Sequence, residues 1–166
     1  LYEDLHRHPE LSFEEERTAA IVADSLRTAG FEVETGVGRT GVVGVLRNGD
    51  GPTVLVRADM DALPVTERTG LPYTSAVEGV AHACGHDVHV TCLLAACAEL
   101  AATGDTWAGT LLAVFQPAEE VGAGARAMLD DGLYERYGTP VVVLGQHVAP
   151  IPAGTIGLHD GPSFAA

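Results

Sequence analysis

Three short segments of this chain carry side chains able to ligate a divalent cation or move a proton. They are Asp59-Met60-Asp61, His82-Ala83-Cys84-Gly85-His86-Asp87-Val88-His89 and Gln116-Pro117-Ala118-Glu119-Glu120. Cys84 and His86 are separated by one glycine, which permits a turn tight enough for both to reach one ion or two adjacent ions. Glu119 and Glu120 follow an apolar run and a proline. Adjacent carboxylates point in different directions, so one can bind metal while its neighbour holds or deprotonates a water. Sulfur, imidazole nitrogen and carboxylate oxygen together suit a borderline-soft divalent ion. Asp59 and Asp61 follow a strand-like run. Carboxylates there can orient metal-bound imidazoles, and simple loop capping is their plainer role. His147 lies just beyond the apolar run Val141–Leu144; a lone histidine of this kind is more commonly a partly buried polar residue. A plainer reading of the histidine-rich segment is a local structural zinc site of His82, Cys84, His86 and His89, although that spacing differs from the usual ones. His6, His8 and His159 read as ordinary histidines.

The elements that must position these residues alternate along the chain. Leu1–His8 reads as the end of a helix closed by Pro9. Ser12 and Glu15 form an S-x-x-E pattern that predicts a capping box. A helix is expected from about Phe13 to Ala29, stopped by Gly30. Phe31–Thr35, Gly41–Leu46 and Thr53–Arg57 are strand-like. The turn Asn48-Gly49-Asp50-Gly51 predicts a hairpin between the last two. Pro64–Val80 is a long polar loop. A helix follows from about Asp87 to Ala102, then a buried strand Thr110–Gln116, a short helix Ala123–Asp131, an apolar strand Val141–Leu144 and a final short strand Thr155–Leu158. Helices alternating with strands imply one α/β domain, layered helix/sheet/helix on a mixed sheet. In such sheets sites gather at strand ends, where Asp59, Glu119, Glu120 and His147 fall.

Composition narrows the partners. The chain has 166 residues, 46% hydrophobic and 19% charged, which is enough for a real core. Its formal charge of −14 repels phosphate backbones and argues against nucleic acid. No apolar run approaches the roughly 20 residues that cross a bilayer, which argues against a membrane span. Of three cysteines, Cys92 and Cys97 fall in the predicted helix at a spacing that diverges around it; both read as buried small hydrophobes. An odd count without a disulfide pattern favours a reducing compartment, hence a cytoplasmic expectation. The first residues already read as helical and the chain begins at Leu1, so an upstream segment is expected.

Five blocks now stand in order: HRHPELSFEE (His6–Glu15), RADMDALP (Arg57–Pro64), HACGHDVH (His82–His89), FQPAEE (Phe115–Glu120) and GQHVAPIPAGTIG (Gly145–Gly157). Together they resemble the metal-dependent amidohydrolases that include hippurate hydrolase, N-acyl-amino-acid amidohydrolases and auxin-conjugate hydrolases, relatives of aminoacylase and carboxypeptidase G. The resemblance implies hydrolysis of the amide bond of an N-acyl amino acid. It implies one or two divalent ions, zinc or manganese, with cobalt or nickel also compatible. It assigns Cys84, His86, Glu120 and His147 as ligands, Glu119 as general base, and places Asp59 and Asp61 near the metals. More distant relatives have a ligand histidine in an H-x-D motif where this chain has Arg57-Ala58-Asp59. The family also has a lid domain and a C-terminal return of the catalytic domain, which supplies one more histidine. Neither lies within these residues. Residues 1–166 therefore correspond to the N-terminal portion of a catalytic domain, expected to be inactive alone, and the complete protein is expected to form a homodimer through its lid. Two other readings are a non-catalytic metal-binding module of the same fold and a small zinc-stabilised interaction domain.

Overall fold

A computed structural model describes residues 1–157. Among these described residues five strands form one open mixed sheet: β1 (Glu32–Val37), β2 (Gly41–Asn48), β3 (Thr53–Asp59), β4 (Gly109–Gln116) and β5 (Val142–Gly145), in the spatial order β1-β2-β4-β3-β5. β1 and β2 are antiparallel, as are β2 and β4, whereas β4, β3 and β5 run parallel. The expected pairing of the two strands around Asn48–Gly51 is not formed. That turn reverses the chain, but β4 lies between β2 and β3 and bonds to both. β4 is the most continuously apolar strand and is buried over nearly its whole length, so burial on both faces takes it to the centre of the sheet. The hairpin that does form joins β1 to β2.

Period-two alternation on β4 builds two cores. Leu111, Ala113 and Phe115 join Leu5, Val22, Leu26, Val90, Leu93 and Cys97 beneath α1 (Tyr2–Arg7), α2 (Glu16–Thr28) and α3 (His86–Ala102). Leu112 and Val114 join Val43, Leu55, Met128 and Leu133 beneath α4 (Gly124–Asp130) and α5 (Leu133–Tyr137). The result is the three-layer helix/sheet/helix domain. Each largely buried Leu or Phe contributes roughly 1.5–3 kcal/mol of burial.

Several local expectations change. Ser12 and Glu15 do not form a capping box. Phe13 adopts a left-handed conformation (φ 64°), which delays helix α2 until Glu16. The carboxylate of Glu10 instead accepts the N–H groups of Arg17 and Thr18, both at 2.8 Å. At the other end, Phe31 N–H bonds Leu26 O and Gly30 N–H bonds Arg27 O, both at 3.0 Å, with Gly30 at φ 89°. This is a Schellman closure, in which glycine carries the left-handed turn. Cys97 is buried as expected, but Cys92 is exposed. α5 was not legible as a separate helix. The expected apolar strand forms as β5 at the sheet edge, with Val142, Val143 and Leu144 exposed. Residues 155–157 are not a strand; Leu158 and His159 lie outside the described residues. Among the described residues no helix is long and apolar enough to cross a membrane.

Candidate metal centre

Topology brings the candidate residues together. Parallel β3, β4 and β5 end at the same edge of the sheet. Asp59 closes β3, the Glu119-Glu120 turn follows β4, and His147 follows β5. The amino end of α3 comes to the same place. Gly85 precedes it at φ 86°, and an added Cβ would stand 2.4 Å from Val148 Cγ2. Only glycine can make this turn and leave room for the His147-Val148 segment.

His86 is fully buried at the centre of the cluster. Its Nε2 lies 3.7 Å from both Glu119 Oε2 and Glu120 Oε1, and 3.6 Å from Asp59 Oδ2. Its Nδ1 lies 3.3 Å from Asp61 Oδ1, an ion-pair contact whose direction makes no hydrogen bond. Cys84 Sγ stands 3.3 Å from His147 Nε2. The ligating atoms of Cys84, His86 and His147 lie within 4.8 Å of one another, and so do those of His86, Glu119 and Glu120. All five expected residues therefore meet around one imidazole.

The carboxylates behind them are structural braces. Asp61 accepts the Ser12 hydroxyl at 2.6 Å and the N–H groups of Glu119 and Glu120 at 3.0 Å each. Asp59 accepts His89 Nδ1–H at 2.6 Å and pairs with Arg57, whose Nε donates to Gln116 Oε1 at 3.0 Å. Arg57, at the position of the H-x-D histidine, thus ties the ends of β3 and β4 together. Burial pushes Asp59 up, but the His89 bond and the His86 and Arg57 charges outweigh it, leaving its pKa at about 2. Burial likewise acts to raise Asp61, and the His86 ring beside it, the Ser12 hydroxyl and the two amides bring it below the ordinary value.

His89, which the sequence suggests only as part of a four-residue zinc site, has a separate role here. It lies three residues after His86, on the same face of α3. A third grouping, Asp59 with His86 and His89, is also close enough to surround an ion. Both His89 nitrogens are already engaged, however: Nδ1 with Asp59 and Nε2 accepting Val148 N–H at 2.9 Å. His89 therefore braces the loop carrying His147. The four-residue zinc site of His82, Cys84, His86 and His89 is not assembled. His82 is absent from every close ligand group among the described residues, and burial holds its pKa down at about 4. His6 is no ordinary surface histidine: it is buried, with Nδ1 2.6 Å from Asp87 Oδ2 and Nε2 3.3 Å from Glu67 Oε1.

The donor set fits a divalent cation. His86 Nε2 and Glu120 Oε1 are buried without hydrogen-bond partners among the described residues, a cost that a metal bond would offset. Burial and the nearby Glu120 and Glu119 charges push the Cys84 thiol up to about 11. Only a strong positive charge would bring that sulfur into its ligating thiolate form.

A mixed sheet with sulfur, imidazole and carboxylate donors gathered at the carboxyl ends of its parallel strands is the architecture of an α/β metal-binding catalytic domain. The chain belongs to the peptidase family M20/M25/M40, whose pattern matches residues 55–161. It is 43% identical over 164 residues to N-acetyl-L-cysteine deacetylase of Bacillus subtilis, covering 98% of this chain and 39% of that protein. It is 49% identical over 147 residues to hippurate hydrolase of Campylobacter jejuni, covering 88% of this chain and 38% of that protein. The crystal structure of the Bacillus subtilis YXEP protein, described as a dinuclear metal-binding peptidase of the M20 family, superposes with a TM-score of 0.90 at 40% identity; the match covers 97% of this chain and 45% of that one. The chain thus spans about two fifths of the length of the curated relatives.

Proposed function

We propose that the complete protein hydrolyses the amide bond of N-acyl amino acids, releasing a carboxylic acid and a free amino acid. The observation that carries this reading is the pairing around His86: a buried nitrogen and a buried Glu120 oxygen without hydrogen-bond partners among the described residues, with Glu119 Oε2 at 3.7 Å from the same nitrogen. The amide-cleaving relatives named above support the substrate class.

Cys84, His86, Glu120 and His147 would hold one or two divalent ions. Such an ion, when bound, polarises a scissile carbonyl and makes a nearby water more acidic. His147 and the glutamate pair are prepared by their neighbours. His147 Nδ1 lies 2.6 Å from Val148 O and donates to it, leaving Nε2 as a lone-pair donor towards Cys84. Asp61 holds the Glu119 and Glu120 amides, which fixes the two carboxylates relative to His86. Glu119 takes the proton of the attacking water and returns it to the leaving amine, so no free acid or base is required. Zinc and manganese are the ions we favour, because sulfur and imidazole suit zinc while the carboxylates admit harder ions.

The test uses the complete protein, assayed with N-acetyl and N-benzoyl amino acids after metal depletion and after re-addition of zinc or manganese. Glu119→Gln should lower kcat by at least about 100-fold, within the range typical of a general base, and retain metal. Glu120→Gln should lose metal as well. Equal metal loss in both variants would overturn the division of roles, and no amide hydrolysis under any metal would overturn the function.

A further inference from the structure

The first sequence block, His6–Glu15, supplies none of the ligands above, yet it contains a fully buried acid. Glu15 Oε1 accepts the N–H of Phe13 at 2.9 Å and the N–H of Ala118 at 2.8 Å, and Oε2 accepts the hydroxyl of Thr40. Among the described residues the non-glycine residues in the left-handed region are Phe13 (φ 64°), Arg39 (φ 86°) and Ala118 (φ 47°). Two of them give their N–H to one oxygen of Glu15. The third immediately precedes Thr40, and its guanidinium lies 4.1 Å from the Phe13 ring centroid. One carboxylate therefore joins three turns that residues with a Cβ resist, and such conformations persist only where their surroundings enforce them. Helix capping does not explain the arrangement, because Glu10 already serves the α2 amides.

The consequence falls on the metal centre. Ala118 directly precedes Glu119 and Glu120. Its N–H goes to Glu15, and the next two go to Asp61. Its carbonyl accepts Ala123 N–H at 3.2 Å and Gly124 N–H at 3.1 Å. Three consecutive amides are thus held by two buried carboxylates on other segments. Asp61 grips the amides of the two glutamates, whereas Glu15 grips the residue whose left-handed conformation sets the direction in which they leave β4.

We propose that Glu15 is a positioning residue for this site: by accepting Ala118 N–H it holds the turn that presents Glu119 and Glu120 to His86. Its effect on turnover rests on the hydrolase reading above; its effect on the turn does not. What matters is an acceptor oxygen at the right reach. Glu15→Gln preserves that oxygen, and its amide can donate to the Thr40 hydroxyl. Glu15→Asp preserves the charge but withdraws the oxygen by one methylene.

Three measurements on the complete protein test this: amide exchange of residues 118–121 without metal, metal affinity by chelator competition, and kcat and KM with N-acyl amino acids. For Glu15→Asp, exchange at Ala118 should rise at least about tenfold and metal affinity should fall about 10–100-fold, as for loss of other groups that orient ligands. kcat should fall about 100-fold while KM changes less than about threefold, the signature of misplaced reacting groups. Glu15→Gln should restore wild-type exchange and recover kcat to within about fivefold. Wild-type exchange in Glu15→Asp would overturn the proposal, as would a Gln variant as impaired as the Asp variant. Should Glu15→Asp fail to fold, Thr40→Val removes a single donor to Glu15. Exchange at Ala118 should then rise about threefold or more, and an unchanged rate overturns the proposal. A wild-type protein without amidase activity would sink the hydrolase reading, and the exchange data would still decide the role of Glu15.

Discussion

Replacing Asp61 with asparagine should cost about 2–4 kcal/mol of folding stability in the metal-free chain. The carboxylate is 1% exposed and accepts three hydrogen bonds, from the Ser12 hydroxyl and the Glu119 and Glu120 amides. The two amides go to different oxygens, Oδ1 and Oδ2. Asparagine has one oxygen, so whichever way its amide turns, one backbone N–H faces an NH2 donor. An unsatisfied buried donor costs about 1–3 kcal/mol, and the remaining bonds lose their charge assistance. Ser12 can rotate its hydroxyl to accept, so it adds little. Urea unfolding followed by the fluorescence of Trp107, the sole tryptophan, measures the loss. Asp24→Asn, on a side chain 80% exposed on α2, is the control and should change stability by less than about 0.5 kcal/mol. The pH dependence has a definite sign. Asp61 is held below its ordinary value in the folded chain, so its contribution is complete above the unfolded value near 3.9 and fades as pH falls below that. The gap between wild type and Asp61→Asn should therefore narrow below about pH 4. A loss smaller than about 1 kcal/mol at pH 7 would refute the claim that Asp61 is the brace of the Glu119-Glu120 turn.

Other outcomes follow from the same contacts. In Gly124→Ala the new Cβ would stand 1.5 Å from Pro117 O, so calorimetry should show a loss of about 3 kcal/mol or more and chelator competition should show weaker metal binding. His89→Phe deletes the link from Asp59 to Val148 and should weaken metal binding about 10–100-fold with little change in helix content by circular dichroism. His82 is held neutral down to about pH 4 against an ordinary value of 6.5, and a depressed histidine loses stability as pH falls through that window. Its ring nitrogens have no hydrogen-bond partners among the described residues, so His82→Phe in metal-free protein should be near neutral at pH 7 and more stable than wild type by about 2 kcal/mol at pH 5 in urea titrations. Equal pH profiles for the two proteins would refute that reading.

Local chemistry was legible before any fold was known. The one-glycine spacing of Cys84 and His86, the Glu119-Glu120 pair and the acids at the end of β3 are short-range features, and their meaning depends on residue type and neighbours. The helix stop at Gly30 and the continuous apolar run of β4 are equally local, because capping and strand burial are written in a few neighbouring residues. Strand pairing is not local. The turn at Asn48–Gly51 specifies a reversal, but β4, more than 50 residues later, takes the place beside β2 because its two apolar faces gain most from the centre of the sheet. The roles of acids were also decided by distant partners. Ser12 and Glu15 have the spacing of a capping box, yet Ser12 is recruited by Asp61 and Glu15 by Ala118, 103 positions away. His89 resembles a ligand by spacing alone; only the approach of Asp59 and Val148 on its two nitrogens turns it into a brace. A residue's donors and acceptors are written in its type, but which of them remain free for chemistry depends on what the tertiary fold brings within about 3 Å.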